Sequence, residues 1–575
     1  MKTLSILPTI FIYFFIISPF TYVKAVNTLT IDCSNKLRKA THCAIGSLYG
    51  LIENIPADFD SLVASLHPFV FNNPARGANG NQQPFGEAIK VAKRLTASPG
   101  ALVSIRLADI LPGWPYRWPG MSNWLNAIKL FIEDKKDSGL TNWYGYEIWN
   151  EPDGTWKDPD GLNFNLLWKQ TYDYLRQNDP NEKIIGPCYS WYQEDKLRDF
   201  LQFTKSNNCI PDIICWHELS GIEGVSSHIK SYRKLENSLG IRELPITINE
   251  YCDATHELEG QPGSSARFIG KFERYKVDSA MITWWFVRFP GRLGSLLAND
   301  NQKGAGWYFY KWYGDTTGDM VYVTPPSDNS KLVDGAACID SEKEYISFIL
   351  GGPNDGSINA DFKNIPSFIG STANVKVEKI DWINKDTVSN GPVTIFEQKY
   401  NINNGQLSIN IPGSNDNSGY RVYITKGDGT IPSSKFVGTF KIFNRHSGKV
   451  LGVDNDSSLD GANVIQWTDN GKTSQQWIIS NEGNGYKILN VNANKALDVE
   501  KNSLEDGGNI LIWSDKGSLN QRWNIRDIGN GYVTIENANS RKMLDVDRES
   551  MVDGGNVLQW FSNGNDNQQW KLVPI

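Results

Sequence analysis

Two glutamates in this chain stand in the same setting 99 residues apart: Glu151 and Glu250, each directly after an asparagine at the end of an aromatic or β-branched run. The first run reads Trp143-Tyr-Gly-Tyr-Glu-Ile-Trp-Asn-Glu151 and stops at Pro152; the second reads Pro245-Ile-Thr-Ile-Asn-Glu250-Tyr251. β-Branched and aromatic residues suit a pleated, buried surface, and a proline cannot continue a central ladder, so both carboxylates are expected where strands end. Paired carboxylates suit cleavage of a glycosidic bond, in which one carboxyl protonates the departing oxygen while the other attacks the anomeric carbon or activates water. Taken singly, either glutamate could be half of a structural ion pair; it is the repeated setting that points to chemistry.

For the two to meet, their strands must bring them face to face across one closed sheet. Eight apolar runs with strand character precede residue 314, at 42–48, 67–71, 101–110, 143–151, 183–187, 212–218, 245–251 and 280–287. Segments long enough for helices separate them, among them 122–136 with its apolar Trp124, Leu125, Ile128, Leu130, Phe131 and Ile132. Eight strands with helical crossovers predict a (β/α)8 TIM barrel over residues 26–314, with the fourth and seventh strands delivering Glu151 and Glu250 to its C-terminal mouth. The roles require different surroundings: the acid must keep its proton, through desolvation by neighbours such as Trp149 or through a second carboxylate, whereas the nucleophile must be ionised and hydrogen-bonded.

These residues carry a resemblance. Tyr146-Glu-Ile-Trp-Asn-Glu-Pro-Asp153 resembles the acid/base motif of the retaining barrel glycosidases, closest to glycoside hydrolase family 39, and Thr247-Ile-Asn-Glu-Tyr251 is similar to their nucleophile strand. The resemblance implies Glu151 as acid/base, Glu250 as nucleophile, Asn150 as a partner of the sugar 2-hydroxyl, and a β-xylosidase-like activity. Asn249 departs from the residue more usual before the nucleophile. His217, at the end of the sixth run, is implied to bond the nucleophile or the substrate, and Trp284, at the end of the eighth, to floor a sugar subsite. Glu147 and Glu218 are read as structural, with Arg106 as the cation that would neutralise Glu147. The Trp-, Pro- and Gly-rich loops 111–120 and 288–294 are expected to wall the cleft.

Beyond residue 314 the pattern turns from helical to alternating. Short strands at 345–350, 374–383, 393–400, 406–411 and 420–425 predict a β-sandwich over 315–427, and a polar linker follows at 428–434. Residues 435–575 then repeat three times. Leu451-Gly-Val-Asp454, Ala496-Leu-Asp498 and Met543-Leu-Asp545 open the units, Trp467, Trp513 and Trp560 follow, and Gln475-Gln-Trp477, Gln521-Arg-Trp523 and Gln568-Gln-Trp570 close them. The Trp spacings of 46 and 47 residues mark one all-β unit repeated about an axis. The units resemble the ricin-type β-trefoil, which implies one shallow sugar pocket per repeat. Carried onto this chain, the pockets comprise Asp454, Trp467 and Gln475; Asp498, Trp513, Asn520 and Gln521; and Asp545, Trp560, Asn567 and Gln568. Ser474 stands where the first repeat would have its Asn, so that pocket is expected to be weaker. Trp477, Trp523 and Trp570 are read as core.

The remaining bounds are compositional. A net charge of −7 without a basic block argues against nucleic acid as partner, and 20 Trp, 23 Tyr and 25 Phe supply flat faces for sugar rings. Lys2, the apolar stretch 4–20 and the small-residue exit at Ala25 read as a secretory signal over 1–25, which predicts a secreted, extracellular protein with no membrane attachment after cleavage. Seven cysteines then enter an oxidising compartment, with Cys33 and Cys43 the preferred pair. The Cys and His spacings form no zinc pattern, so neither a metal nor another cofactor is expected. Together these features predict a multidomain protein, a barrel followed by a sandwich and a trefoil, that hydrolyses a polysaccharide or oligosaccharide with retention of configuration. The alternatives are an endo-acting glycanase of another family of the same clan, or a secreted lectin whose barrel is inactive. The sugar, linkage and oligomeric state are not legible.

Overall fold

A computed structural model describes residues 27–283, 291–299, 301–427, 436–481 and 485–575. The expected signal at 1–25, the linker 428–434 and Trp284 lie outside the described residues. Seven parallel strands, Val70–Pro74, Leu102–Arg106, Trp143–Glu147, Ile184–Tyr189, Ile213–Trp216, Ile246–Tyr251 and Ser279–Ile282, pair in sequence order. The eighth side of the barrel is residues 43–49, which bridge both ends of that sheet: Ser47 pairs with Ile282 and Leu48 with Asn72. Val70, Tyr144, Ile185, Cys188, Ile213, Cys215 and Met281, drawn from strands around the ring, form a small apolar cluster that plugs the interior. Helices such as Met121–Ser138 and Phe164–Asn178 bury an apolar stripe against the outside.

Strand Asn27–Lys39 does not belong to the barrel, contrary to a boundary of 26–314. It pairs antiparallel with Asp319–Thr324 and parallel with Ser357–Lys363, inside a nine-stranded sheet. The reason is its period: Leu29, Ile31 and Cys33 are buried while Thr28, Thr30 and Asp32 between them are more exposed, the mark of a strand with one solvated face, whereas the barrel strand Trp143–Glu147 is buried at every position. The nine-stranded sheet folds over on itself into a sandwich. Phe348 and Phe362, on strands that are not neighbours in the sheet, meet edge to face at 6.1 Å within a common core. Cys33 lies in that core and Cys43 in the barrel core, so the expected pair does not form; all seven cysteines are free and buried.

Helix Pro262–Arg274, which follows the strand of Glu250, joins the two bodies and is buried along its whole length. Its approach to the sandwich requires glycine: a Cβ at Gly263 would stand 2.0 Å from the Asp416 carbonyl oxygen, and one at Gly270 would stand 2.7 Å from that of Gly335. Ion pairs seal the contact. Lys271 Nζ lies 3.1 Å from Asp334 Oδ2, the Arg274 guanidinium clasps the same carboxylate, and Arg38 reaches Glu273 at 2.9 Å. The sandwich therefore braces the crossover that carries Glu250.

The third body is the trefoil. The indole N–H groups of Trp477, Trp523 and Trp570 donate to the carbonyls of Leu451, Leu497 and Leu544 at 2.9, 3.0 and 3.0 Å, the same bond made three times in a shared core. On the pseudo-threefold axis the amides of Asn463, Asn556 and Asn509 close a ring, each donating to the next at 2.9, 3.0 and 2.9 Å. Cross-repeat ion pairs, Lys495 to Asp460 at 2.7 Å and Lys542 to Asp506 at 2.6 Å, tie neighbouring units. Among the described residues no helix is long and apolar enough to cross a membrane.

Candidate active site

The fourth strand ends at Glu147, and Glu151 lies four residues further on, with φ 50° and ψ 54°. This is the left-handed region, which costs a residue with a side chain on the order of 1–3 kcal/mol and persists only where the surroundings enforce it. Here they do. The Glu151 N–H donates to the Cys188 carbonyl at 2.9 Å, and Thr155 Oγ1 donates to the carbonyls of Asn150 at 2.7 Å and Glu151 at 2.9 Å. Pro152 opens the short helix Pro152–Thr155, which turns the chain away from the mouth. Behind the turn, Trp149 packs edge to face against Tyr116, Trp118, Trp124 and Trp156, with ring centroids 4.9–6.0 Å apart.

Glu250 sits within strand Ile246–Tyr251 and is buried. Arg106 Nη1 donates to its Oε1 at 2.9 Å, while the Nε of the same guanidinium donates to Glu147 Oε1 at 2.6 Å. One cation thus serves two buried carboxylates, the second of which also accepts from Asn72. His217 stands between the two candidate carboxylates: its Nδ1 is 3.1 Å from Glu151 Oε1 and 3.7 Å from Glu250 Oε2. An oxygen of Glu151, an oxygen of Glu250 and a nitrogen of His217 all lie within 4.8 Å of one another. Burial is the largest influence on Glu250 and pushes its carboxyl up; His217 and Arg106 pull it down, and the balance stays above the ordinary 4.5. For His217, burial pulls the imidazole down, but the charges of Glu250 and Glu151 outweigh it and its pKa stands above the usual 6.5.

Several buried polar atoms around this trio have no protein partner among the described residues: Asn150 Oδ1, Asn249 Nδ2, Asn72 Oδ1, His217 Nε2 and Arg106 Nη2. Each unmade bond costs about 1–3 kcal/mol, and a ligand rich in hydroxyls would satisfy them. Glu218 is structural, as read from sequence: its carboxylate takes the Trp216 indole N–H at 2.7 Å and His228 at 3.0 Å. What sequence reasoning missed is the layer behind Arg106. Asp109 holds the hydroxyls of Tyr49 and of Tyr116, the latter at 2.8 Å, and Tyr49 in turn lies 3.3 Å from Arg106 Nη1. Burial raises Asp109 to about 6. Two charges, Arg106 and Asp109, inside an otherwise apolar run were the available signal. On the loops, Trp114 and Trp191 expose half of their surface, and Asp153 braces the second through Ser190 N at 3.0 Å and Gln193 Nε2 at 2.6 Å.

In the trefoil, Asp498, Trp513 and Asn520 line a cavity of about 870 Å³, and Asp454, Trp467 and Gln475 line one of about 250 Å³. Trp467 and Trp560 expose 41% and 37% of their surface, as a stacking platform requires, whereas Trp477, Trp523 and Trp570 are fully buried. The glutamines also have a structural duty. Gln475 and Gln521 hold loop backbone with both ends of their amides, and Gln568 holds backbone and Asp545 Oδ2, so all three brace the walls of their pockets. Asn520 and Asn567 donate to Asp498 and Asp545 at 3.1 and 3.0 Å. Burial raises both aspartates to about 6, against the bonds from these neighbours. In the first repeat the Ser474 hydroxyl turns to Asp456 and leaves Asp454 without the equivalent bond.

Comparison with known proteins accords with this geometry. A family model described as "Ricin-type beta-trefoil lectin domain-like" matches residues 430–513 and 519–575. Over 80% of its length the chain is 25% identical to a 3-O-beta-L-arabinopyranosyl-alpha-L-arabinofuranosidase of Bifidobacterium pseudocatenulatum, covering 52% of that protein. Over 64% it is 26% identical to a 3-O-alpha-D-galactosyl-alpha-L-arabinofuranosidase of Bifidobacterium longum subsp. longum, covering 32%. The chain thus spans about half and a third of these relatives. Among solved structures, a GH39 enzyme of Xanthomonas axonopodis pv. citri shares the fold over 70% of this chain and 98% of its own, with a TM-score of 0.51 at 12% identity. Far closer is N2152 of Neocallimastix frontalis, 70% identical with a TM-score of 0.69 over 70% of this chain and 100% of its own. The chain belongs to the same family as N2152, shares its fold with the GH39 enzyme of Xanthomonas, and carries a ricin-type β-trefoil lectin domain at its C-terminal end.

Proposed function

We propose that the protein is a secreted, retaining glycoside hydrolase that removes α-L-arabinofuranosyl or β-xylosyl groups from a larger carbohydrate, to which the trefoil holds it. The observation that carries the mechanism is the approach of Glu151 and Glu250, oxygen to oxygen, within 4.8 Å. Retaining enzymes place their carboxyls about 5–5.5 Å apart, whereas inverting ones leave about 6.5–9.5 Å for a water. The substrate class is supported by the names of the two bifidobacterial relatives and of a Geobacillus stearothermophilus beta-xylosidase, 24% identical over 146 residues.

In the first step Glu250 attacks the anomeric carbon while Glu151 gives its proton to the departing oxygen. Glu250 Oε2 is the oxygen suited to attack, because Oε1 is committed to Arg106 at 2.9 Å and among the described residues Oε2 has only the longer, 3.7 Å approach of His217. The ester formed cancels the charge of Glu250. Glu151, now ionised, then takes a proton from water as the water attacks the same carbon, and Glu250 leaves as a carboxylate stabilised by Arg106. Asn150 Oδ1, buried without a partner among the described residues, accepts from a sugar hydroxyl in this reading.

The test is hydrolysis of nitrophenyl α-L-arabinofuranoside and β-D-xylopyranoside followed by proton NMR. The expected first product has the anomeric configuration of the substrate. Inverted product would refute the double displacement, and turnover of neither glycoside would refute the substrate class.

A further inference from the structure

Immediately beyond the nucleophile strand lies a second cluster that the proposed reaction does not use. Cys252 Sγ is 2.9 Å from His256 Nδ1, and that nitrogen is 3.4 Å from Glu259 Oε1. The three ligand atoms lie within 4.8 Å of one another. Cys252 and Glu259 are buried, at 2% and 1% exposure. The Glu259 carboxylate accepts from Thr283 Oγ1 at 2.6 Å and from Ser295 Oγ at 2.8 Å, and among the described residues the one basic group in ion-pair range of it is His256. Two neutral hydroxyls do not balance a charge taken out of water, and a buried carboxylate calls for a cation. His256 itself adopts φ 56°, a left-handed conformation that turns its ring back toward Cys252.

We propose that Cys252, His256 and Glu259 form a zinc(II) site that clasps the loop after the nucleophile strand. Sulfur, imidazole and carboxylate together are the donor set of zinc, whereas magnesium and calcium take oxygen alone. A thiolate and a carboxylate cancel the charge of the ion, and three protein ligands leave a fourth position for water. The dimensions are close. With Zn–N and Zn–O near 2.0 Å, a tetrahedral N···O edge is about 3.3 Å, against the observed 3.4 Å. The S···N edge, ~3.5 Å in such a site, requires the thiol to move out by roughly 0.6 Å from its observed 2.9 Å. The spacing Cys-x3-His-x2-Glu escapes a search for paired Cys or His motifs because the turn at His256, not a regular element, brings the donors together. Bound metal would fix Cys252 two residues from Glu250 and tie it to Glu259, whose other contacts reach Thr283 at the end of the eighth strand.

The full-length protein is incubated with one equivalent of zinc, passed over a chelating resin and assayed by mass spectrometry for metal content. About one zinc per chain is expected to remain, with at least a five-fold loss in Cys252→Ser and Glu259→Gln and no loss in Glu151→Gln. Cobalt(II) bound to the wild-type protein supplies a second readout that needs no variant: a thiolate-to-cobalt charge-transfer band in the near ultraviolet. Folded wild-type protein that retains no zinc and shows no such band would overturn the proposal. So would zinc that survives Cys252→Ser and is lost in Glu151→Gln, which would place the ion between Glu151, His217 and Glu250 instead. Because metal content is read directly, failure here leaves the glycosidase reading untouched.

Discussion

Replacing Arg106 with Gln separates what holds the barrel together from what serves the reaction. Its guanidinium is 1% exposed and bonds Glu147 at 2.6 Å and Glu250 at 2.9 Å. Glu147 is fully buried, with Asn72 its remaining side-chain partner among the described residues. Removing one member of a buried ion pair typically costs about 3–5 kcal/mol, because the other charge is left uncompensated. In a barrel of this size that is a fall in Tm of roughly 6–20 °C. The same change removes a charged hydrogen bond from Glu250, the proposed nucleophile, about 1.5–3 kcal/mol, or roughly 10- to 150-fold in kcat/KM. It also moves the acidic limb of the pH profile upward, since Arg106 is one of the two groups that pull the Glu250 carboxyl down. The double variant Arg106→Gln, Glu147→Gln removes the cation and one of its two buried carboxylates, and is expected to regain the part of the stability lost at Glu147 but none of the activity, because Glu250 stays without its cation. Calorimetry and nitrophenyl-glycoside kinetics across pH read both effects. A single variant with wild-type Tm, or a double variant with wild-type kcat/KM, would refute the assignment of one cation to two duties.

Further consequences are as specific. Asn150→Ala deletes a buried amide whose Oδ1 has no protein partner among the described residues; stability should change by less than ~1 kcal/mol while kcat/KM falls about 10- to 100-fold, and a large loss of Tm would make the residue structural. Glu151→Gln removes a charge that raises the Glu250 carboxyl, so the acidic limb of residual activity toward glycosides with good leaving groups should move to lower pH; an unmoved limb would break the coupling between the two. Asp498 and Asp545 titrate at about 6 in the fold and at an ordinary 3.8 when free. Their folded pKa values are raised, so their contribution to trefoil stability is fully present below 3.8 and lost as pH rises through about 6. Sugar binding, which needs the carboxylates as acceptors, should run the other way and weaken as pH falls through 6; glycan-array binding at pH 7.5 and 5 together with thermal melts checks both signs.

The barrel is legible because its strands are buried on both faces, so apolar runs bounded by Pro and Gly mark them without reference to partners. The glutamates stand out for the same reason, as charges at the ends of such runs. Residues 27–39 adjoin the barrel in sequence but belong to the sandwich, and the alternation of Leu29 and Ile31 with Thr28, Thr30 and Asp32 is the sign of it, a strand with one wet face. Cys33 and Cys43 are close along the chain but buried in different cores, a separation that spacing cannot report. The bracing bonds of the trefoil glutamines are not legible, because they run to backbone atoms five and seven residues away that no side-chain pattern reveals. The double role of Arg106 and the meeting of Cys252, His256 and Glu259 arise from tertiary proximity, the level at which a linear reading has least purchase.

The central claim is that Glu250 becomes covalently bonded to the sugar. A 2-deoxy-2-fluoro glycoside of the preferred pentose, whose fluorine slows the second step more than it prevents the first, should inactivate the enzyme and add one fluorosugar mass to the proteolytic peptide that contains Glu250. Inactivation should fail in Glu250→Gln. Turnover of ordinary substrate with no label on that peptide, or a label on Glu218 or Glu151 in its place, would contradict the account.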